Sequence, residues 1–403
     1  MTNIAILGYG TVGSGVAEVI GTNAELLKKR GNGLYVKYIL DLREFPGDPY
    51  EERVIHDFDT ILEDPEIKVI CETMGGTGAA YKFTTLALEK GISVCTSNKE
   101  LVELHGAELS RIAREHHCSY LFEASVGGGI PLIRTIVQGL AAEKVERICG
   151  ILNGTTNFIL TKMAKEGAEF GTVLAEAQEH GYAEKDPTAD IEGHDAGRKI
   201  AILASLVTGQ NIAFPDVHTE GITKLTPVDF AYAKALGMQI KLIALYDTQG
   251  DKHYGIVSPR LIGEDSPLSC VQGVFNGVLI HSNMLDDSMY YGRGAGRKAT
   301  ASAVVGDAIA CAATIGTTID SGLTEELGDL AEIGSYRQRY FVRLKGSKSV
   351  RKEEVEAALG KGSIVFDVAK DEFGFLMKEE MEEAAFMQKT EQLQGVIDYI
   401  RVL

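Results

Sequence analysis

The feature that most constrains this chain is how it begins. An apolar run at residues 3–7 breaks directly into Gly8-Tyr9-Gly10-Thr11-Val12-Gly13, and Val12, Val16, Val19 and Ile20 then recur at helical spacing. A strand, a glycine turn and a helix in immediate succession leave few folds open. Gly8 permits the turn, Gly10 lets a phosphate approach the backbone, and Gly13 lets helix and strand pack closely. The helix start presents unpaired N–H groups and a partial positive charge. Thr11 and Val12 therefore join the three glycines as candidate contacts for a pyrophosphate.

The alternation continues. Residues 35–40 read as a second strand ending in Asp41. Residues 68–72, 92–95 and 119–122 read as further strands, separated by helices at 79–90 and 102–116. Such a series predicts an α/β fold with a Rossmann-type parallel sheet covered on both faces. After Pro131 the pattern changes. A strand at 145–152 leads into a mostly helical stretch to Val207, and strand-like segments follow one another between 241 and 283, which suggests an antiparallel sheet. From Arg339 the order is βαββαβ, with residues 378–383 (KEEMEE) as the charged start of the second helix. The expected domains are a dinucleotide-binding domain at 1–130, joined by an apolar helix returning near 300–320; an α+β substrate and dimerisation domain at 131–300; and a small βαββαβ domain at 339–403.

Composition narrows the partners. With 40 Lys and Arg against 57 Asp and Glu, the net charge is −17. No broad attraction to nucleic acid or to anionic membranes is expected. Cys71, Cys95, Cys118, Cys149, Cys270 and Cys311 form no CxxC pair and no zinc spacing. Most lie in apolar runs, so they read as buried free thiols in a reducing, cytoplasmic setting. The start of the chain shows no signal-peptide pattern. The apolar stretch 301–319 contains Asp307 and lacks basic or aromatic anchors, which predicts a buried helix and not a membrane span.

Six motifs carry chemistry. The first is the opening glycine turn. Asp41, at a strand end, is placed to accept both ribose hydroxyls of NAD and to repel a 2′-phosphate; Arg43 offers the alternative, a clasp on the 2′-phosphate of NADP. The spacing from Gly13 to Asp41 exceeds the usual value of about 20. NAD is the favoured cofactor, and NADP stays open. In the second motif, Ser97-Asn98-Lys99 follows a strand, where a parallel sheet binds its ligands, so Asn98 and Lys99 are candidate cofactor contacts. The third, Glu123 to Pro131, holds Gly127-Gly128-Gly129, a poor strand and a poor helix whose carbonyls stay available for a ligand or cation. The fourth packs Asn153, Gly154, Thr155, Thr156 and Asn157 into one turn. It can hold a carboxylate or an ammonium group, or simply cap a helix.

The fifth runs from Gly181 to Lys199. Glu184, Asp186 and Asp190 occupy a loop, and Asp195 and Lys199, four apart, share a helix face. Spacing alone makes them a surface ion pair worth roughly 0.3–0.5 kcal/mol. But the helix continues as apolar IAILASLV, a buried element, and a pair projecting from it towards an acidic loop reads as a site. In the sixth, Gly292 to Gly296, including Gly294, precedes a helix and can form another anion site.

Together these motifs closely resemble homoserine dehydrogenases. The resemblance rests on GYGTVG at 8–13, SNK at 97–99, EASVGGGIP at 123–131, GILNGTTNFIL at 150–160, GYAEKDPTADIEGHDAGRKIAILA at 181–204 and GRGAG…TASAVVGD at 292–307. It covers about residues 1–330; the tail resembles an ACT regulatory domain only in its element order. The resemblance implies NAD(P)-dependent interconversion of L-homoserine and L-aspartate 4-semialdehyde, a branch-point step towards threonine and methionine. It implies Lys199 as the catalytic lysine, Asp195 beside it, and Lys99 as a second essential lysine. It implies Glu184 and Asp190 near the substrate amino group, with Gly154, Thr155 and Thr156 in the substrate site. It also implies a sodium ion on carbonyls of Glu123, Val126, Gly128 and Ile130, and a homodimer or higher homo-oligomer. The chain departs from the family at Ala299 and His194, and in residues 345–350, where the effector loop of related tails carries a proline that is absent here. Rival readings are a nucleotide-binding sensor without catalysis and another amino-acid dehydrogenase. The joint presence of Lys99, Glu184, Asp195 and Lys199 argues against the sensor, and the 150–204 block against the other dehydrogenase.

Overall fold

The alternating segments of the opening part become six parallel strands: β1 (Thr2–Leu7), β2 (Leu34–Leu40), β3 (Val54–Ile55), β4 (Ile67–Glu72), β5 (Ser93–Thr96) and β6 (Tyr120–Leu121). Their order is β3-β2-β1-β4-β5-β6. Register sets four strand ends level, because Leu7 pairs with Leu40 and with Glu72, and Glu72 with Thr96. Gly8, Asp41, Thr73 and Ser97 are therefore the first residues beyond one common edge, where the order reverses about β1 and ligands bind in such sheets. The computed structural model describes residues 1–346, 348–366 and 368–403, and of 348–350 the backbone only. Of the effector-loop expectation at 345–350, Ser347 lies outside the described residues, and of Lys348, Ser349 and Val350 only the backbone is described.

The chain forms two compact units. The first comprises Met1–Glu143, Ala201–Phe214 and Gly292–Gly328; the second comprises Lys144–Ile200, Pro215–Tyr291 and Asp329–Leu403. In the first, Ala301, Val304, Val305, Ala308 and Cys311 of the Arg297–Ala313 helix join Ile4, Ile6, Val16 and Val69 in one core. Burial on both sides explains why these strands are runs of Ile, Val and Cys without polar alternation. Among the described residues no helix is long and apolar enough to cross a membrane.

The second unit is built on an 11-stranded sheet. Its strands are β7 (Val145–Ile151), β8 (His218–Thr219), β9 (Met238–Gln249), β10 (Lys252–Gly263), β11 (Phe275–Ser282), β12 (Asp286–Arg293), β13 (Arg337–Lys345), β14 (Gly362–Val365), β15 (Glu372–Met377), β16 (Met381–Glu382) and β17 (Val396–Val402). The order is β12-β11-β7-β9-β10-β17-β13-β15-β14. The strands of the middle region pair antiparallel, β9 with β10, and β9 and β11 each with β7, in the antiparallel sheet their sequence suggested.

The tail has the expected βαββαβ order with one short strand, β16, added before its second helix, and it falls within the second compact unit. β17 pairs parallel with β10 and antiparallel with β13, so the tail continues the sheet of the second unit. Residues 131–143 stay with the first unit. One local expectation fails. KEEMEE does not start a helix: Met381 and Glu382 form β16 against β13, and the helix begins at Glu383. The reason is tertiary. Glu383 is buried and accepts hydrogen bonds from Tyr340, Gln338 and Arg401, which outweighs a solvated helix start.

Candidate active site

In the first unit, backbone geometry builds the site. Gly8 has φ 85°, a conformation that side chains disfavour. A Cβ on Gly13 would stand 1.9 Å from the Gly8 carbonyl oxygen, whereas one on Gly10 would meet nothing within 4 Å. Gly13 is thus required for packing, and Gly10 leaves open room beside the start of the Thr11–Thr22 helix. Val12 packs its side chain on the core and Thr11 is exposed, so both would meet a phosphate through their amides. This cradle fits a dinucleotide.

Beside it lies a pocket of about 560 Å³ lined by Gly8, Gly10, Asp41, Arg43, His56, Met74 and Phe83, among others. Asp41 and Arg43 are not alternatives here but a bidentate pair, with guanidinium–carboxylate distances of 2.9 Å. The Tyr9 amide adds a third bond at 2.7 Å. Arg43, working against partial burial and helped by that amide, holds the Asp41 carboxyl at about 2. Sequence reasoning missed His56, whose ring bonds the Asp41 carbonyl and Glu44. A histidine so far along the chain carried no periodic signal.

Asn98 caps the Lys99–Glu115 helix and bonds the Gly76 carbonyl. Lys99 is half-buried in the first turn. Also missed was Glu72, wholly buried at the end of β4, where burial pushes its carboxyl up to about 7.

The Glu123 loop uses its acid internally. The Glu123 carboxylate accepts the amides of Leu132, Ile133 and Arg134 at 2.7–2.9 Å, clamping the start of the short helix at 133–139. Among the described residues no hydrogen bond uses the carbonyls of Val126, Gly128 or Ile130, all three of which are buried residues. A set of carbonyl oxygens suits a hard cation. No group of three or more His, Cys, Asp or Glu able to hold a metal is found among the described residues. Gly128, at φ 57°, leaves space for the Gly294 carbonyl, which a Cβ would approach to 2.4 Å, so the third and sixth motifs are neighbours.

In the second unit, side chains build the site. Lys199 and Asp195 lie on the His194–Thr208 helix and are only 8% and 5% exposed, which removes the surface-ion-pair reading. The Lys199 ammonium donates to Asp195 Oδ2 at 2.7 Å and to the Leu152 carbonyl at 2.8 Å. The Asn153 amide group donates to Asp195 at 2.9 Å and to Asp190 at 2.7 Å. Its carbonyl caps the Gly154–Glu166 helix by accepting the Thr156 amide. Asn153 therefore caps the helix and also joins the fourth motif to the fifth. Thr155 bonds the Tyr182 carbonyl, and Glu184 is exposed next to it in the same loop. Asp186 is exposed and accepts the Thr188 amide and hydroxyl, so it serves the loop.

Beneath this helix the buried Lys241 donates to the Asn157 side chain and the Val271 carbonyl. Burial, with Lys165 nearby, lowers it to about 8. It sits in a strand reading as plain apolar sequence, so nothing marked it.

The family model described as homoserine dehydrogenase matches residues 131–309, and that described as homoserine dehydrogenase, NAD binding domain, matches residues 8–123. A homoserine dehydrogenase of Bacillus subtilis is 40% identical over 311 residues, 76% of this chain and 72% of that protein. The crystal structure of a homoserine dehydrogenase from Thiobacillus denitrificans covers 100% of this chain, and 98% of its own length is matched, with a TM-score of 0.88 at 33% identity. A hyperthermophilic archaeal homoserine dehydrogenase in complex with NADPH covers 77% of this chain and is matched over 98% of its length, at a TM-score of 0.66 and 29% identity.

Proposed function

The chain belongs to the homoserine dehydrogenase family, NAD(P)-dependent oxidoreductases that interconvert L-homoserine and L-aspartate 4-semialdehyde, and on that premise we propose that Lys199 is its proton donor and acceptor. One observation carries the proposal. Of the three N–H groups of the buried ammonium, two are committed to Asp195 and Leu152, and the third has no partner among the described residues. That donor suits the oxygen of the reacting carbon. When bound, the nicotinamide supplies the hydride exchange.

Lys199 gives its proton to the oxygen as the aldehyde is reduced, and as the neutral amine takes it back from the alcohol. Asp195, whose Oδ2 accepts both the lysine and the Asn153 amide group, orients the lysine. Lys99 assists as a second positive charge. Glu184 and Asp190 receive the substrate ammonium, with Gly154, Thr155 and Thr156 around it. The carbonyls of Glu123, Val126, Gly128 and Ile130 would hold a sodium ion that stiffens their loop. An ionised Asp41 favours NAD over NADP, although an archaeal relative takes NADPH. Six free cysteines support a reducing, cytoplasmic setting. Exposed Leu285, Met289 and Tyr291 in and beside β12 support a homodimer through the second unit.

Replacing Lys199 by Ala tests the central claim. Turnover should collapse while cofactor binding, followed by fluorescence titration, stays nearly intact. Normal turnover would remove Lys199 from the role.

A further inference from the structure

β4 and β5 end level, Glu72 opposite Thr96. The loop after β4, residues 73–76, places Met74 in the pocket beside the glycine turn, and the turn after β5, residues 97–99, was read above as a cofactor contact. The Glu72 side chain is wholly enclosed. Enclosing a carboxyl is unfavourable, and an apolar side chain would fill the same space at less cost.

Its partners show what the carboxyl does there. One oxygen accepts the Met74 amide at 2.7 Å, and the other accepts the Thr96 hydroxyl at 2.5 Å. The same hydroxyl accepts the Asn98 amide at 2.9 Å. Asn98 donates from its side chain to the Gly76 carbonyl at 2.6 Å and accepts the Leu101 amide at 3.2 Å. The bonds close a ring that runs from Glu72 through Thr96, Asn98 and Gly76 and returns along the chain through Met74.

We propose that Glu72 is a positioning residue for the cofactor, its carboxyl locking the loop after β4 and the turn after β5 in one register so that Asn98 and Lys99 meet the nucleotide. It acts through Met74 and Thr96. Losing either bond frees one loop against the other without touching the proton chemistry of Lys199. The inference rests on the reading of the Asn98–Lys99 turn as a cofactor contact.

The test uses the full chain with Glu72→Gln, Thr96→Val, Thr96→Ser and Asn98→Ala. NAD+ or NADP+, whichever is turned over faster, is varied at saturating homoserine, then homoserine at saturating cofactor, and thermal unfolding is followed for each variant. Glu72→Gln and Thr96→Val should raise the cofactor KM about ten-fold, the scale of one lost buried hydrogen bond. They should lower kcat by less than about three-fold and leave the homoserine KM in place, the signature of lost ground-state binding. Thr96→Ser should restore the wild-type cofactor KM. A wild-type cofactor KM in both Glu72→Gln and Thr96→Val overturns the proposal. So does a rise in the homoserine KM as large as that for cofactor, which marks general loosening. If Glu72→Gln fails to fold, the Thr96→Val and Thr96→Ser pair decides by the same criteria. An unchanged cofactor KM in Asn98→Ala sinks the reading of the turn and the proposal with it. A raised one, with Glu72→Gln and Thr96→Val at wild type, sinks the positioning role alone.

Discussion

In the first unit the groups that would meet a nucleotide are amides and glycine Cα atoms at the ends of level strands; in the second the reacting groups are the tips of long side chains, steadied by other side chains. Two enclosed acids of the first unit and one partly exposed acid of the second shift in opposite directions. Burial pushes Glu72 up to about 7, and it pushes Asp307 up to about 7 despite the Glu123 amide and Arg134 beside it. In the second unit burial also works against Glu220, but His218 and Arg401 outweigh it and hold the carboxyl at about 2. A site made of backbone depends on shape, and the enclosed acids beside it hold their protons to higher pH. A site made of side chains depends on pairing, as Lys199, Asp195 and Asn153 show.

Four experiments would break or sharpen that contrast. The largest effect belongs to the side-chain site: Lys199→Ala should cost about 10³-fold in kcat, within the range of general acid–base catalysis, with cofactor Kd unchanged. The next is pH. Glu72 has a folded value above its ordinary 4.5, so the native chain keeps a proton that the unfolded chain has released, and stability should fall by about 3 kcal/mol as pH rises from 4.5 to about 7. Glu220 runs the other way: its contribution is complete above 4.5 and is lost as pH falls towards 2. Urea midpoints across pH should show both slopes, the first, which Asp307 shares, reduced by Glu72→Gln and the second flattened by Glu220→Gln.

Third, Gly13→Ala should destabilise the chain by about 2 kcal/mol through overpacking. Gly10→Ala, with open space at its Cβ, should leave the unfolding midpoint alone and raise only the cofactor KM. Equal effects would dissolve the distinction between packing glycine and phosphate glycine. The smallest effect concerns the Asp41–Arg43 pair. Arg43→Ala should shift the ratio of kcat/KM for NAD over NADP upward by about ten-fold, and Asp41→Asn should shift it down by a similar amount, each the scale of one charge-assisted bond.

The sequence was most readable where covalent geometry leaves a residue type no substitute. The glycine turn, the strand–helix alternation and the antiparallel middle could all be read because periodicity and glycine report local backbone. Lys199 and Asp195 were legible as neighbours from helical spacing, but only burial separates a catalytic pair from an ordinary ion pair. Glu72, His56 and Lys241 were not legible. Each matters through partners distant in sequence, such as Thr96 for Glu72 or Val271 for Lys241, and one chain read without coordinates carries no sign of those partners. The tail shows the same limit. Its elements could be named in order, but the pairing of Arg401 opposite Arg260 could not, and that pairing makes the tail part of the larger sheet.

The pairing also bears on how the protein is made. β17 comes last of the second unit's strands in chain order, yet it lies inside the sheet between β10 and β13. A ribosome delivering the chain from its amino end must leave the facing edge of β13, and that of β10 at Arg260 and Leu261, unpaired until that segment emerges. During that interval the growing polypeptide exposes two sticky ribbons to its surroundings, which makes the delay before the last strand arrives the period of greatest danger from aggregation.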